Sequence, residues 1–263
     1  MNDVVVLCYH AVSPDWPAQI AVTPERFEEQ LRLLVGRGYR GATFTEAVTA
    51  SPQGRTLAVT FDDGVRSVLE RAQPVLAELG LPATVFVPTD YVGSGAPMRW
   101  PGLEEWQGGP HEQELVPLGW DELRRLRSEG WEIGSHTRSH PRLVRLDDTA
   151  LADELEGSRE RLADELGEPC RSFAYPFGEV DDRVIAAAGA AGYEAACTLL
   201  ESYGEASVLS WPRVGIWRSD GPLSFRFKVA LRSSAALRVL DRPRRALKRL
   251  LRPGRSAHGW ARD

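Results

Sequence analysis

The sequence predicts an α/β fold in which short buried strands alternate with helices. Three observations lead there. Short apolar runs recur along the chain, and stretches of helical spacing separate them. Chemistry-bearing residues stand directly after the apolar runs, where α/β folds place their sites. Asp62-Asp63-Gly64 follows one such run, and Ser135-His136-Thr137-Arg138-Ser139-His140 follows another.

The strand-like runs, in order, are Val4–Leu7, Leu57–Phe61, Ala83–Val87, Trp131–Gly134, Ser172–Tyr175, Glu194–Thr198 and Trp211–Gly215. Helical patterns fill the gaps. Thr23-Pro24-Glu25 is a helix start, with Thr as cap and Pro in the first turn. Phe27, Leu31, Leu34 and Val35 then keep helical spacing. A second helix is expected over about residues 65–79, with Pro74 as a kink or break. A third covers 120–128. A fourth runs over about 149–166 behind the caps Asp147 and Asp148. A fifth starts at Asp181 and ends near Gly192. No internal repeat is visible.

The two polar clusters suggest a metal site. Adjacent carboxylates at a strand's end point to opposite sides, so one can bind an ion while its neighbour faces a substrate. Gly64 lets the backbone turn away. Alone, Asp-Asp-Gly reads equally well as an ordinary turn. The chain has five histidines, and His136 and His140 lie four apart, a spacing that lets both reach one ion if the segment turns helically. With Asp63 they make a two-His, one-carboxylate set, which leaves positions open for water and substrate.

At this point the chain resembles a known family. Thr60-Phe61-Asp62-Asp63-Gly64, Ser135-His136-Thr137-Arg138-Ser139-His140-Pro141 and Ser172-Phe173-Ala174-Tyr175-Pro176-Phe177-Gly178 are similar to the three motifs of the NodB-homology polysaccharide deacetylases, carbohydrate esterase family 4. The resemblance runs from about residue 4 to about 217 and implies a distorted (β/α) barrel. It also implies metal-dependent removal of N-acetyl groups from amino sugars. The match departs from the commonest branch. Ala174 stands where the third motif usually carries Arg, and the late Leu-x-His is missing. The opening Val4-Val5-Val6-Leu7-Cys8-Tyr9-His10 instead resembles the permuted branch that deacetylates poly-N-acetylglucosamine.

Carried over residue by residue, the resemblance implies a divalent ion held by Asp63, His136 and His140. Zn2+ is expected, with Co2+, Ni2+ or Fe2+ suiting the same donors. Asp62 is the expected base that takes the water proton, and His10 the acid that protonates the departing amine. A backbone N–H at Phe177, between Pro176 and Gly178 and beside Tyr175, is expected to meet the oxyanion. Because Ala174 cannot hold Asp62, Arg213 in Ser210-Trp211-Pro212-Arg213-Val214-Gly215 is the candidate that keeps it ionised and aimed. A surface Arg is the plainer reading of that residue.

Residues 88–119 form one long irregular stretch rich in Gly and Pro, and loops of that length inside a domain are usually functional. Trp100 and Trp106 either line a sugar cleft there or simply pack the loop. Two other functions stay open: hydrolysis of a non-sugar amide, and an inactive glycan-binding or membrane-scaffold barrel.

At 263 residues, one barrel-sized domain suffices. Hydrophobic content of 43% and charged content of 26% are ordinary for a globular chain. Cys8, Cys170 and Cys197 are too few and too scattered for a disulfide scaffold. Residues 1–222 are expected as the catalytic domain and 223–263 as a basic tail. That tail holds 12 Lys or Arg against 2 Asp or Glu, a net charge of about +10. Its segment 242–252 reads as a basic amphipathic helix suited to an anionic membrane surface. Docking on the acidic body is the alternative, and nucleic acid fits less well. With only Met1-Asn2-Asp3 before the first strand, the expected location is cytoplasmic, peripheral at the inner membrane face.

Overall fold

The computed structural model describes residues 3–50, 54–199 and 207–233. Strands and helices alternate in the order β1 (Asp3–Tyr9), β2 (Ala11–Val12), β3 (Ala21–Val22), α1 (Pro24–Gly36), β4 (Arg40–Gly41), α2 (Phe44–Thr49), β5 (Arg55–Phe61), α3 (Gln73–Glu78), β6 (Ala83–Val87), α4 (Trp120–Ser128), β7 (Glu132–Ser135), α5 (Asp148–Leu166), β8 (Ser172–Ala174), α6 (Asp182–Ala190), β9 (Ala195–Leu199), β10 (Trp211–Gly215) and α7 (Pro222–Ser233). Seven of the strands close into an all-parallel barrel. Going round, β1 pairs with β5, then β6, β7, β8, β9 and β10 follow, and β10 returns to β1. The strand that opens the chain is therefore inserted between β5 and β10, along a seven-residue register from Asp3–Arg55 to Tyr9–Phe61.

Strand periodicity divides the core in two. Alternate residues Val4, Val6, Ala58, Phe86, Ala174, Ala195 and Cys197 form a small inner cluster, joined by Phe44 and Ala47 of α2. Their neighbours Val5, Leu7, Val59, Val85, Val87 and Ala196 join the larger layer beneath the outer helices. The inner residues are small apart from the two Phe rings, as a narrow barrel requires. Gly134 is set by this crowding, since a Cβ there would lie 2.4 Å from the Phe86 ring.

All seven expected strands appear, two of them with the expected bounds and the others with ends shifted by at most two residues. Thr23 caps α1 by accepting the Arg26 N–H at 3.4 Å, and Asp147 caps α5 by accepting the Ala150 N–H at 2.9 Å. The helix expected over 65–79 is broken as Pro74 suggests: a π-helical turn, Val68–Ala72, precedes α3. Helix α2 is an addition to the expected elements. Thr43 and Glu46 form its capping box. In the 223–263 segment, α7 belongs to the barrel wall, because its Phe225 and Val229 are buried in the main core. The amphipathic helix expected over 242–252 lies outside the described residues.

Candidate active site

Chain turns at the C-terminal ends of the barrel strands gather the polar clusters. Asp62 and Asp63 follow β5 at once, His136 follows β7 and Phe177 follows β8 by three residues. His10 follows β1 directly, and the Asp62 N–H donates to the Tyr9 carbonyl at 2.9 Å, which holds the β1 and β5 ends together. Gly64, at φ +61°, turns the backbone away where a Cβ would lie 2.5 Å from Val87.

Asp62 and Arg213 form a buried fork. Arg213 rises from β10 and is fully buried. Its two terminal nitrogens donate to Oδ1 and Oδ2 of Asp62, each at 2.7 Å. The guanidinium also donates to Thr60 Oγ1 at 3.0 Å, and it lies over Phe86. The Cys8 thiol donates to Asp62 Oδ2 at 3.4 Å. Burial alone would raise the Asp62 carboxyl. The charges of Arg213, His136 and His10, with the Arg213 hydrogen bonds, outweigh it and hold the group well below the usual carboxylate range.

Asp63, His136 and His140 form a separate, buried constellation. Nε2 of His136 and Nε2 of His140 each lie 3.5 Å from Asp63 Oδ1. A tetrahedral ion with bonds of about 2.1 Å needs donors about 3.4 Å apart, so the set fits a divalent metal. The tautomer fits too: His136 Nδ1 donates to the Ala174 carbonyl at 2.7 Å, which leaves the Nε2 lone pair facing Asp63. Asp63 Oδ1 is buried without a hydrogen-bond donor. Burial, then the neighbouring Asp62 charge, pushes the Asp63 carboxyl well above its ordinary value. A cation is the partner such a group needs. Burial likewise lowers both imidazoles, keeping them in the neutral form that ligates.

Backbone strain concentrates here. Among the described residues, the non-glycine positions with left-handed φ are Asp63 at 67°, Thr137 at 72°, His140 at 63° and Phe177 at 59°. Each lies in one of the three motifs. Such conformations cost of order 1 kcal/mol or more apiece and persist where surrounding structure demands them. The expected helical turn from His136 to His140 is therefore a strained loop, in which Thr137 Oγ1 accepts the His140 N–H at 2.9 Å.

A pocket opens over both clusters, lined by His10, Asp62, Asp63, Trp100, His136, His140, Phe177, Gly178 and Leu199. Trp100 stacks on His140 with ring centroids 4.1 Å apart, and Phe177 meets the same imidazole edge-on at 4.7 Å. Trp217 stacks on His10 at 5.9 Å. Three expected substrate contacts, Tyr175, Pro176 and Trp106, are not among the residues that line this pocket. Tyr175 is buried and its hydroxyl donates to the Leu209 carbonyl at 2.8 Å. Pro176 is buried beside it. Trp106 packs edge-on against the buried Trp16, within the long loop. Cys8, Leu199 and Trp217 also reach the site and were not among the expected residues. Only Cys8 carried a signal, through its place two residues before His10.

Comparisons with known proteins bear on the family and the fold. The polysaccharide deacetylase family matches residues 49–196. Bacillus subtilis YxkH is 24% identical over 198 residues, which is 73% of this chain and 63% of YxkH. A poly-β-1,6-N-acetyl-D-glucosamine N-deacetylase of Staphylococcus aureus is 23% identical over 175 residues, 62% of this chain and 55% of that enzyme. The match thus spans less than two thirds of either relative's length. The solved structure of BC0361, a polysaccharide deacetylase from Bacillus cereus, superposes with a TM-score of 0.67 at 27% identity, covering 86% of this chain and 69% of that one. With the family's span covering more than half its residues and a barrel of the same type, the chain belongs to the polysaccharide deacetylase family.

Proposed function

We propose that this chain is a metal-dependent N-deacetylase acting on N-acetylamino sugars of a glycan or glycan precursor. One observation carries the reading: the Arg213-held Asp62 and the Asp63–His136–His140 set face the same pocket, with His10 in its wall. When bound there, a divalent ion, Zn2+ or one of Co2+, Ni2+ and Fe2+, supplies a Lewis acid that acidifies water and polarises an amide carbonyl.

The chain's own residues supply the rest. Asp62 removes the proton as water adds to the acetyl carbon. Arg213 keeps that carboxylate ionised and fixes its plane, so the base is aimed before substrate arrives. A backbone N–H at the left-handed Phe177 turn donates to the developing oxyanion. His10 delivers a proton to the amine nitrogen as the C–N bond breaks, giving acetate and a free amine. Trp100, braced on His140, offers an aromatic wall to a sugar ring.

The sugar class is supported by the Staphylococcus aureus relative, whose name specifies poly-β-1,6-N-acetyl-D-glucosamine. The test is acetate release from β-1,6- and β-1,4-linked N-acetylglucosamine oligomers, lipid-linked N-acetylamino sugars and simple acetamides. Turnover of a sugar substrate at least tenfold above any simple amide supports the reading. Equal or better turnover of simple amides overturns the sugar assignment.

A second contact, with an anionic membrane at the cytoplasmic face, is supported by the +10 charge of residues 223–263. On α7, Leu223 and Phe227 lie one turn apart and are 81% and 62% exposed. Sedimentation of the full chain with phosphatidylglycerol vesicles, but not with phosphatidylcholine vesicles, is the expected outcome. Equal behaviour with both lipids at low salt removes the membrane contact.

A further inference from the structure

We infer that Glu154 on α5 is a positioning residue for the metal loop, a role that rests on the metal reading proposed above. The loop between His136 and His140 is strained at Thr137 and again at His140 itself. Something must hold that shape before an ion arrives. Three donors from the loop converge on one carboxylate. The Arg138 and Ser139 N–H groups donate to Glu154 Oε2 at 2.8 and 3.0 Å, and the Ser139 hydroxyl donates to Oε1 at 2.5 Å. An anionic acceptor is suited to two consecutive backbone N–H groups that point the same way.

Other contacts fasten the same loop but do not replace this one. The Thr89 and Asp90 N–H groups donate to the Thr137 and Arg138 carbonyls, at 3.0 Å each, so the loop's opposite edge is tied to the end of β6. Arg138 runs across Gly157 of α5, where a Cβ would lie 2.8 Å from its Cδ, and its guanidinium reaches Asp153 at 2.6 Å. That ion pair is solvent-exposed and therefore weak. Glu154 alone binds the N–H edge of residues 138 and 139, midway between the two imidazoles. It touches neither the ion site nor the pocket, so its effect on metal passes through loop shape.

The substitutions distinguish shape from charge. Glu154→Gln keeps an oxygen for the two N–H groups and presents an N–H2 to the Ser139 oxygen, so the loop retains its bonds. Glu154→Ala loses all three. Ser139→Ala loses one. The experiment titrates Co2+, and Zn2+ by competition with a chromophoric chelator, into full-length wild type and each variant, beside chemical denaturation in chelator. The expected result is metal affinity about 10–100-fold weaker in Glu154→Ala. Ser139→Ala is expected to be about fivefold weaker, and Glu154→Gln within about threefold of wild type. A purely structural role would lower stability in chelator and leave affinity unmoved. Affinity within twofold of wild type in Glu154→Ala overturns the inference. If that variant does not fold, unchanged affinity in Ser139→Ala overturns it instead. Wild-type protein that binds neither metal would remove the metal reading, and this inference with it.

Discussion

Replacing Arg213 by Met should expose how strongly the candidate base depends on its buried partner. Arg213 and Asp62 meet through two bonds of 2.7 Å, and the two side chains are 1% and 5% exposed. Removing one member of such a pair leaves the other as an uncompensated charge, at a cost of about 3–5 kcal/mol. For a chain of this size, about 2–4 °C of melting temperature follows each kcal/mol, so the single variant should melt about 6–20 °C lower. Asp62→Asn should cost a comparable amount, because Arg213 is then unpaired. The double variant removes both charges and should recover much of the loss. A double-mutant cycle by urea denaturation of chelated protein reads a coupling of about 2 kcal/mol or more. The pH dependence has a fixed sign. In wild type the folded Asp62 carboxyl is held below its ordinary value, so the pair's stabilisation is full above that value, 3.8, and is lost as pH falls through the folded value. Without Arg213, burial raises the carboxyl, and that variant loses stability as pH rises. The gap between wild type and Arg213→Met should therefore narrow from pH 7 toward pH 4. Additive single losses, or a gap that widens on acidification, would refute the reasoning.

Three further outcomes follow from the site and core. Trp100→Ala should raise KM severalfold, because Trp100 lines the pocket, whereas Trp106→Ala should change stability and leave KM unmoved. Steady-state kinetics separate the two. Cys8, Cys170 and Cys197 are buried free thiols, and burial pushes each one up, Cys170 to about 12. A thiol reagent at pH 8 should label the native chain slowly and take up all three on unfolding; rapid stoichiometric labelling of native protein would contradict the burial. Gly134→Ala should destabilise by about 1–3 kcal/mol through overpacking against Phe86, measurable as a shifted urea midpoint without a changed slope.

Much of this site was legible because its residues announce themselves locally. Asp62-Asp63-Gly64 follows an apolar run, and His136 and His140 sit beside another, so strand ends and ligand types could be read together. Arg213 was legible as the candidate partner of Asp62 only through the resemblance, because Ala174 leaves that carboxylate without the usual Arg. Its fork to Asp62 depends on barrel closure, which joins β1 to both β5 and β10 across long sequence separations. That pairing leaves no periodic trace in the chain. Glu154 looks like any polar position on a helix, and its three donors lie 15 or 16 residues away in sequence. Tyr175 and Trp106 show a different limit: an aromatic residue near a motif carries no sign of which way its ring points. Helix α2 was within reach, since Thr43 and Glu46 stand at capping-box spacing, but six residues give too little periodicity to register.

The central claim is a hydrolytic metal site at Asp63, His136 and His140, and one measurement addresses it most directly. Acetate release from N-acetylglucosamine oligomers would be followed for wild type and Asp63→Ala, first after chelation and then with Zn2+, Co2+, Ni2+ or Fe2+ restored singly. The account predicts release that chelation abolishes, that at least one metal restores in wild type, and that none restores in Asp63→Ala. Release that survives complete chelation, or that Asp63→Ala retains at wild-type level with metal present, would contradict it.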